Sequence, residues 1–208
     1  MKKSKSNLIS ESGFTLVEIL ISVGIISLLT VTVSTFQKDV FFLNFSLQNS
    51  LNAQLDARHI VKVIITEMRE MGPSALGAYP IAVASPTSIT FYGDADNDGL
   101  KDRIRYFLSG TNLVRGIISP SGSPLIYNSA NEKFSTLVSG FIASTTSPLF
   151  QYYPASYDGT TAPLSQPVNI QSIRLIKVTA IINKDPNRNP TPIIVTSQVN
   201  LRNLKDNQ

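Results

Sequence analysis

Apolar residues fill positions 14–36 almost without interruption, and only Glu18 carries a charge there. At 1.5 Å per residue, a helix over this stretch spans about 34 Å, enough to cross the hydrocarbon core of a bilayer. Lys38 and Asp39 end the apolar run, but nothing ends the helix, because no Pro or Gly occurs between Gly24 and Gly72. Leu43, Leu47, Leu51 and Leu55 recur every four residues. Val61, Ile64, Ile65 and Met68 continue an apolar face after a small phase shift, with Gln48, Asn52, Asp56, Lys62, Glu67 and Arg69 between them. Gly72-Pro73 is the stop signal. The pattern predicts a helix over residues 14–71, roughly 87 Å long if continuous. Its half at 14–36 is greasy all round. Its half at 37–71 is amphipathic and expected to pack on a domain. Two helices with a break near 37–39 are the alternative.

Beyond Pro73 the period changes from helical to alternating, and Pro, Gly, Ser and Thr become frequent. SITFY (88–92) puts Ile89 and Phe91 on one face. RIRYFL (103–108) puts Ile104, Tyr106 and Leu108 on one face, with Arg103 and Arg105 on the other. NLVRGII (112–118) follows a Ser109-Gly110 turn, and PLFQYY (148–153) is a further short candidate. SIRLIKVTAII (172–182) and PIIVTSQVNL (192–201) are the clearest strands, joined by a long polar loop. EKFSTLVSGF (132–141) fits a short helix or a strand equally. The expected fold class is α+β, a long helix followed by a mostly antiparallel sheet over 72–208, one face of which covers the helix.

Charge and composition narrow the functions. Charged residues are 15% of the chain, below the ~25% of ordinary soluble domains. The net charge of +4 is modest, and Lys2, Lys3 and Lys5 sit at the extreme N-terminus. No basic stripe or aromatic-basic interleaving indicates a nucleic-acid surface. With no cysteine, disulfides, thiol catalysis and thiolate-bound metal are excluded. The lysines before the apolar run predict a cytoplasmic N-terminus and an extracytoplasmic head. A secretory signal fits poorly, since the run is long and VTVSTFQKD lacks a good small-x-small cleavage site.

Glu18 is the anomaly. A charge deep in a membrane segment costs ~2.5–3.5 kcal/mol at the helix centre and marks a functional partner. GFTLVEILISV (13–23) resembles the N-terminal cleavage and methylation motif of type IV pilins and pseudopilins. The resemblance implies a leader at 1–13 cut by prepilin peptidase between Gly13 and Phe14, methylation of Phe14, and a polymerisation helix at 14–36. Its amphipathic continuation covers 37–71 and the head 72–208. It further implies partners: other pilin or pseudopilin subunits, the inner-membrane assembly machinery, and the lipid bilayer before assembly. Cleavage frees an ammonium at Phe14, and in a packed bundle Glu18 of one subunit can pair with the ammonium of the next, offsetting a penalty neither charge escapes alone. Glu18 is then an assembly residue. Ser22 and Gly24 either allow close helix packing or are simply tolerated.

DADNDGLKD (94–102) lies between two predicted strands. Asp94, Asp96 and Asp98 alternate, Gly99 follows, and Leu100 and Asp102 stand where an EF-hand-like loop offers a backbone carbonyl and a later oxygen. This spacing suits calcium. The twelfth position is Arg105 rather than Glu, so the last ligands would come from elsewhere or from water. The other reading is an acidic Asp-Gly turn whose repulsion Arg103 or Arg105 relieves in part. The surrounding hairpin, ITFYGDADNDGLKDRIRYFL with LVRG after it, also resembles J-type pseudopilins and W-type minor pilins.

Three functions follow in order. The first is a minor pilin or pseudopilin of a type IV pilus, a type II secretion filament or a DNA-uptake filament. The second is a membrane-anchored, calcium-dependent adhesin that does not polymerise. An enzyme ranks last, because His59 stands alone without a nucleophile or acid set around it.

Overall fold

The computed structural model describes residues 13–142, 146–183 and 192–201. The chain divides into two compact units, residues 1–47 and 48–208. The first element, α1 (Leu16–Arg69), runs through the division.

In the first unit, Thr15 caps α1. Its carbonyl accepts the first helical bond from Ile19 N–H at 3.2 Å, and its hydroxyl accepts from Glu18 N–H at 3.3 Å. Thr15-x-x-Glu18 is therefore a capping-box sequence, and the helix begins at Leu16 rather than at Phe14. Every residue from 13 to 45 is exposed. The polar hydroxyls on this greasy surface are satisfied within the helix. Ser22, Ser27, Thr30, Thr32 and Ser34 donate to the carbonyl four residues back at 2.7–2.9 Å, and Thr35 to the one three back at 2.8 Å.

In the second unit, the buried stripe of α1 is Ala53, Ala57, Ile60, Val61, Ile64, Ile65 and Met68. The leucine face read from the sequence is not the packed one: Leu51 and Leu55 are 59% and 65% exposed, whereas Ala53 and Ala57 are buried. Two residues correspond to about 200° around the helix axis, so the leucines turn away when the alanines turn in. The two alanines share a buried core with large aromatics from the strands, including Phe91, Tyr106 and Phe150. The helix ends as expected before Gly72, whose N–H is handed to the carbonyl of Tyr92 at 3.0 Å.

Two antiparallel sheets follow instead of one. The first is a meander of β1 (Ile81–Ala84), β2 (Ser88–Gly93), β3 (Asp102–Ser109), β4 (Asn112–Ile118) and β5 (Lys133–Val138), in that order. The second holds β6 (Phe150–Tyr153), β7 (Leu175–Ile182) and β8 (Ile193–Asn200), also in chain order. β5 settles the ambiguous 132–141 segment as a strand. The β3–β4 hairpin turns on Gly110, whose φ of +60° suits the first position of a two-residue loop. Residues 140–142 join the sheets: Ile142 N–H donates to Ile181, Asn183 N–H donates to Gly140, and Phe141 N–H donates to Thr111 in the β3–β4 turn. Tyr152 donates to the Ser85 carbonyl at 2.8 Å. One core unites the α1 stripe with Phe91, Ile104, Tyr106 and Leu113 of the first sheet and Phe150, Tyr152, Ile176 and Val178 of the second. Each fully buried large side chain contributes about 2 kcal/mol.

Candidate functional site

The start of the described chain precedes the first helix. Gly13, Phe14 and Thr15 precede the helix without regular structure, and Phe14 is 78% exposed. Glu18 follows in the first turn, where the helix dipole favours an anion. Its carboxylate is exposed and forms no ion pair among the described residues. Around it lies an apolar surface including Leu16, Val17, Ile19, Leu20, Ile21 and Val23, each more than half exposed. Contiguous apolar surface of this extent marks an interaction site. α1 is long and apolar enough to cross a membrane. At Gly24 an added Cβ would meet nothing within 4 Å, so no contact inside the chain requires the glycine.

The acidic residues form the loop of the β2–β3 hairpin, closed by the Gly93–Asp102 pair. Carboxylate oxygens of Asp94, Asp96 and Asp98 lie within 4.8 Å of one another. Backbone N–H groups shape this convergence: Asp98 N–H donates to Asp94 and Asp96, Gly99 N–H to Asp94, and Leu100 N–H to Asp98, at 2.8–3.3 Å. Asn97 and Gly99 take left-handed conformations, with φ of +61° and +88°.

Asp102 plays a different part. It is buried, its Oδ2 accepts from Ala95 N–H at 3.0 Å, and its Oδ1 lacks a hydrogen bond of normal geometry. Burial pushes its carboxyl above the ordinary range, against the opposing pull of the nearby Ser119 hydroxyl and the Ala95 N–H; the charges of Asp96 and Asp98 add to the rise. Neither arginine relieves the loop. Arg105 pairs with Glu132 at 2.9 Å, and Arg103 donates to the Ser129 hydroxyl at 3.0 Å. Gly116 opposes Arg105 in the register and leaves room for the Glu132 carboxylate, which any Cβ there would strike.

Residues 9–34 match the family described as the prokaryotic N-terminal methylation motif. No curated protein matches the chain. The motif contains Gly13, Phe14 and Glu18 and supports a subunit of the pilin or pseudopilin class, processed by prepilin peptidase and assembled with other such subunits. It is a structural rather than a catalytic motif, in keeping with a protein that is not an enzyme. The methylation-motif segment and the acidic loop lie in different units of the chain.

Two further features were not read from the sequence. One is the Thr15-x-x-Glu18 cap, which the spacing alone announces. The other is a clamp between α1 and the first sheet. Glu67 pairs with Arg115 at 2.6 Å and also accepts from the Tyr106 hydroxyl. Burial, reinforced by Glu67, pushes the Tyr106 phenol far above its ordinary range. No spacing rule links positions so far apart in sequence. His59 is exposed and belongs to no cluster of metal-binding side chains among the described residues.

Proposed function

We propose that the chain is a minor pilin or pseudopilin, of the kind its β2–β3 hairpin resembles in J-type pseudopilins and W-type minor pilins. Prepilin peptidase cuts between Gly13 and Phe14, Phe14 is methylated, and the mature chain enters a filament through α1 with its head outside the inner membrane. The observation that carries this reading is Glu18, an anion set in an apolar helical surface with no ion-pair partner among the described residues. The ammonium freed at Phe14 of a neighbouring subunit supplies that partner. The test is mass spectrometry of the mature chain together with recovery of tagged protein in sheared filaments. The expected results are an N-terminal methylphenylalanine and loss of the Glu18→Leu variant from the filament fraction. A retained lysine-bearing leader, or normal recruitment of Glu18→Leu, sinks the reading and favours a tethered adhesin.

Within the head, the reading gives the acidic loop a calcium ion held by Asp94, Asp96 and Asp98, with the Leu100 carbonyl and Asp102 in supporting positions. What favours it is the convergence of three carboxylates in the loop that Asp102 closes, where the buried Asp102 Oδ1 lacks a hydrogen bond of normal geometry. Melting of the full chain in detergent, with calcium and then with chelator, tests it. A rise with calcium that Asp96→Ala/Asp98→Ala abolishes is expected, and equal melting in every sample refutes it.

A further inference from the structure

A groove of about 360 Å³ runs along the flank of the head between α1 and β8. Arg58, Lys62 and Arg69 line it, and all three are exposed. At 100° per residue they fall within about 40° of one another around the helix, over a rise of about 16 Å. None of them forms an ion pair among the described residues, where the pairs are Arg105–Glu132 and Arg115–Glu67. Arg58 and Lys62 stand four residues apart, a spacing at which like charges repel. Val61 and Ile65, themselves buried, add an apolar lining. The opposite wall is β8, through Val195, Thr196 and Ser197. Successive strand residues face opposite sides of a sheet, so a groove that touches all three meets β8 along its edge. β7 pairs with one edge of β8, and among the described residues no strand pairs with the other. That free edge leaves backbone donors and acceptors beside the three cations.

Edge and charge together define the occupant. A bare strand edge takes an extended segment through backbone hydrogen bonds, and unpaired cations beside it select carboxylates on that segment. Laid along α1, an extended segment rises about 3.3 Å per residue, so about five residues span the cations. Its alternate side chains recur about 6.6 Å apart, close to the rise of about 6 Å between Arg58 and Lys62. A nucleic acid fits less well, because among the described residues no aromatic side chain lines the groove for base stacking. We propose that the groove seats an extended acidic segment of a neighbouring filament subunit of another kind, added to the free edge of β8. The occupant rests on the filament reading above, in which a minor subunit has other subunits for neighbours. Contacts between exposed charges are weak singly, and they matter where heads are already held at high local concentration. No residue of the acidic β2–β3 loop lines the groove, so the contact forms with calcium in that loop.

The full chain in detergent, with calcium throughout, is titrated with a fluorescent peptide of about ten residues that alternates Glu and Val. Its affinity is expected to be at least tenfold above that of the same peptide with Gln for Glu. In Arg58→Glu/Lys62→Glu that advantage should vanish while the melting temperature stays the same. The milder Arg58→Gln/Lys62→Gln should lose affinity in the same direction, so a folding defect in the first variant does not decide the result. Equal affinity for the two peptides, or affinity indifferent to these changes, overturns the proposal. So does tighter binding of a single-stranded oligonucleotide, which would mark the groove as a seat for a phosphate polymer. In sheared filaments, a photo-crosslinking residue in place of Lys62 is expected to join an acidic segment of another subunit, identified by mass spectrometry. Cross-links only to a second copy of this chain, or none, overturn it as well. Recovery in filaments without peptide discrimination sinks the groove alone. Peptide discrimination by a chain that never enters filaments sinks the filament reading and, with it, this occupant.

Discussion

Glu18 and Glu67 lie on the same helix and both stand among apolar neighbours, yet the molecule treats them in opposite ways. Glu67 is met within its own chain by a guanidinium and a phenol, and its side chain is 18% exposed. Glu18 has only the helix N-terminus beside it and finds no cation among the described residues. On the filament reading proposed above, an acid in greasy surroundings has two uses. Satisfied internally, it fixes one packing of helix on sheet. Left for an outside partner, it makes an assembly conditional. The two can be separated by experiment, since damage to one should spare the function of the other.

The largest effect is expected at the first site. Glu18→Leu, or a Gly13→Val change that blocks the peptidase, should lower filament incorporation at least tenfold. The melting temperature of the head should stay the same, because Glu18 belongs to the first unit and its backbone bonds lie within its own helix. Next comes Glu67→Leu, which strands Arg115 partly buried and should cost about 3 kcal/mol of head stability by denaturant titration. Glu67→Leu combined with Arg115→Leu should recover most of that loss, a sign that the stranded charge and not the missing pair does the damage.

The helix faces give a third, smaller contrast. Ala57→Leu forces bulk against the sheets and should cost about 1–3 kcal/mol. Leu55→Ala, on the outward face, should stay within about 0.5 kcal/mol. Equal effects would mean that the leucine face packs after all.

The smallest concerns Asp102. Its folded carboxyl titrates above the ordinary range because of burial, so the folded head binds the proton more readily than the unfolded chain. Stability therefore falls as pH rises from the ordinary carboxylate range through the raised value, and the penalty is present at neutral pH. In chelator, Asp102→Asn should melt slightly higher than the wild type at pH 7. That advantage should fade as the pH is lowered to about 4. An advantage that does not depend on pH would assign the effect to something other than the carboxylate.

Long-period features of the chain were legible from sequence, and contacts between distant segments were not. The long helix and its stop at Gly72-Pro73 follow from local chemistry, as do six of the eight strands among the described residues. β1 escaped notice because IAVA is short, lies between Pro80 and Ser85-Pro86, and shows little alternation. β5 was ambiguous because its residues are largely exposed and carry no clear apolar face. The leucine face misled for a physical reason. Helical spacing marks apolar stripes but does not say which one meets the sheet, and here the stripe with alanines does. At the acidic loop, the convergence of Asp94, Asp96 and Asp98 was readable from their alternation. The separate role of Asp102 was not, because it depends on a strand pairing that buries it, and Arg105 is committed to Glu132, which is distant in sequence and lies just before β5.

The hydroxyls of the first unit carry one more consequence. Ser22, Ser27, Thr30, Thr32, Ser34 and Thr35 already spend their protons on carbonyls of their own helix. Exchanging one oily environment for another thus breaks none of those bonds, and the segment carries no polar debt to whichever medium it meets first. On the filament reading, the balance between staying in lipid and joining a companion helix is left to shape and to a lone carboxylate, which lets a single charge act as the toll on that passage.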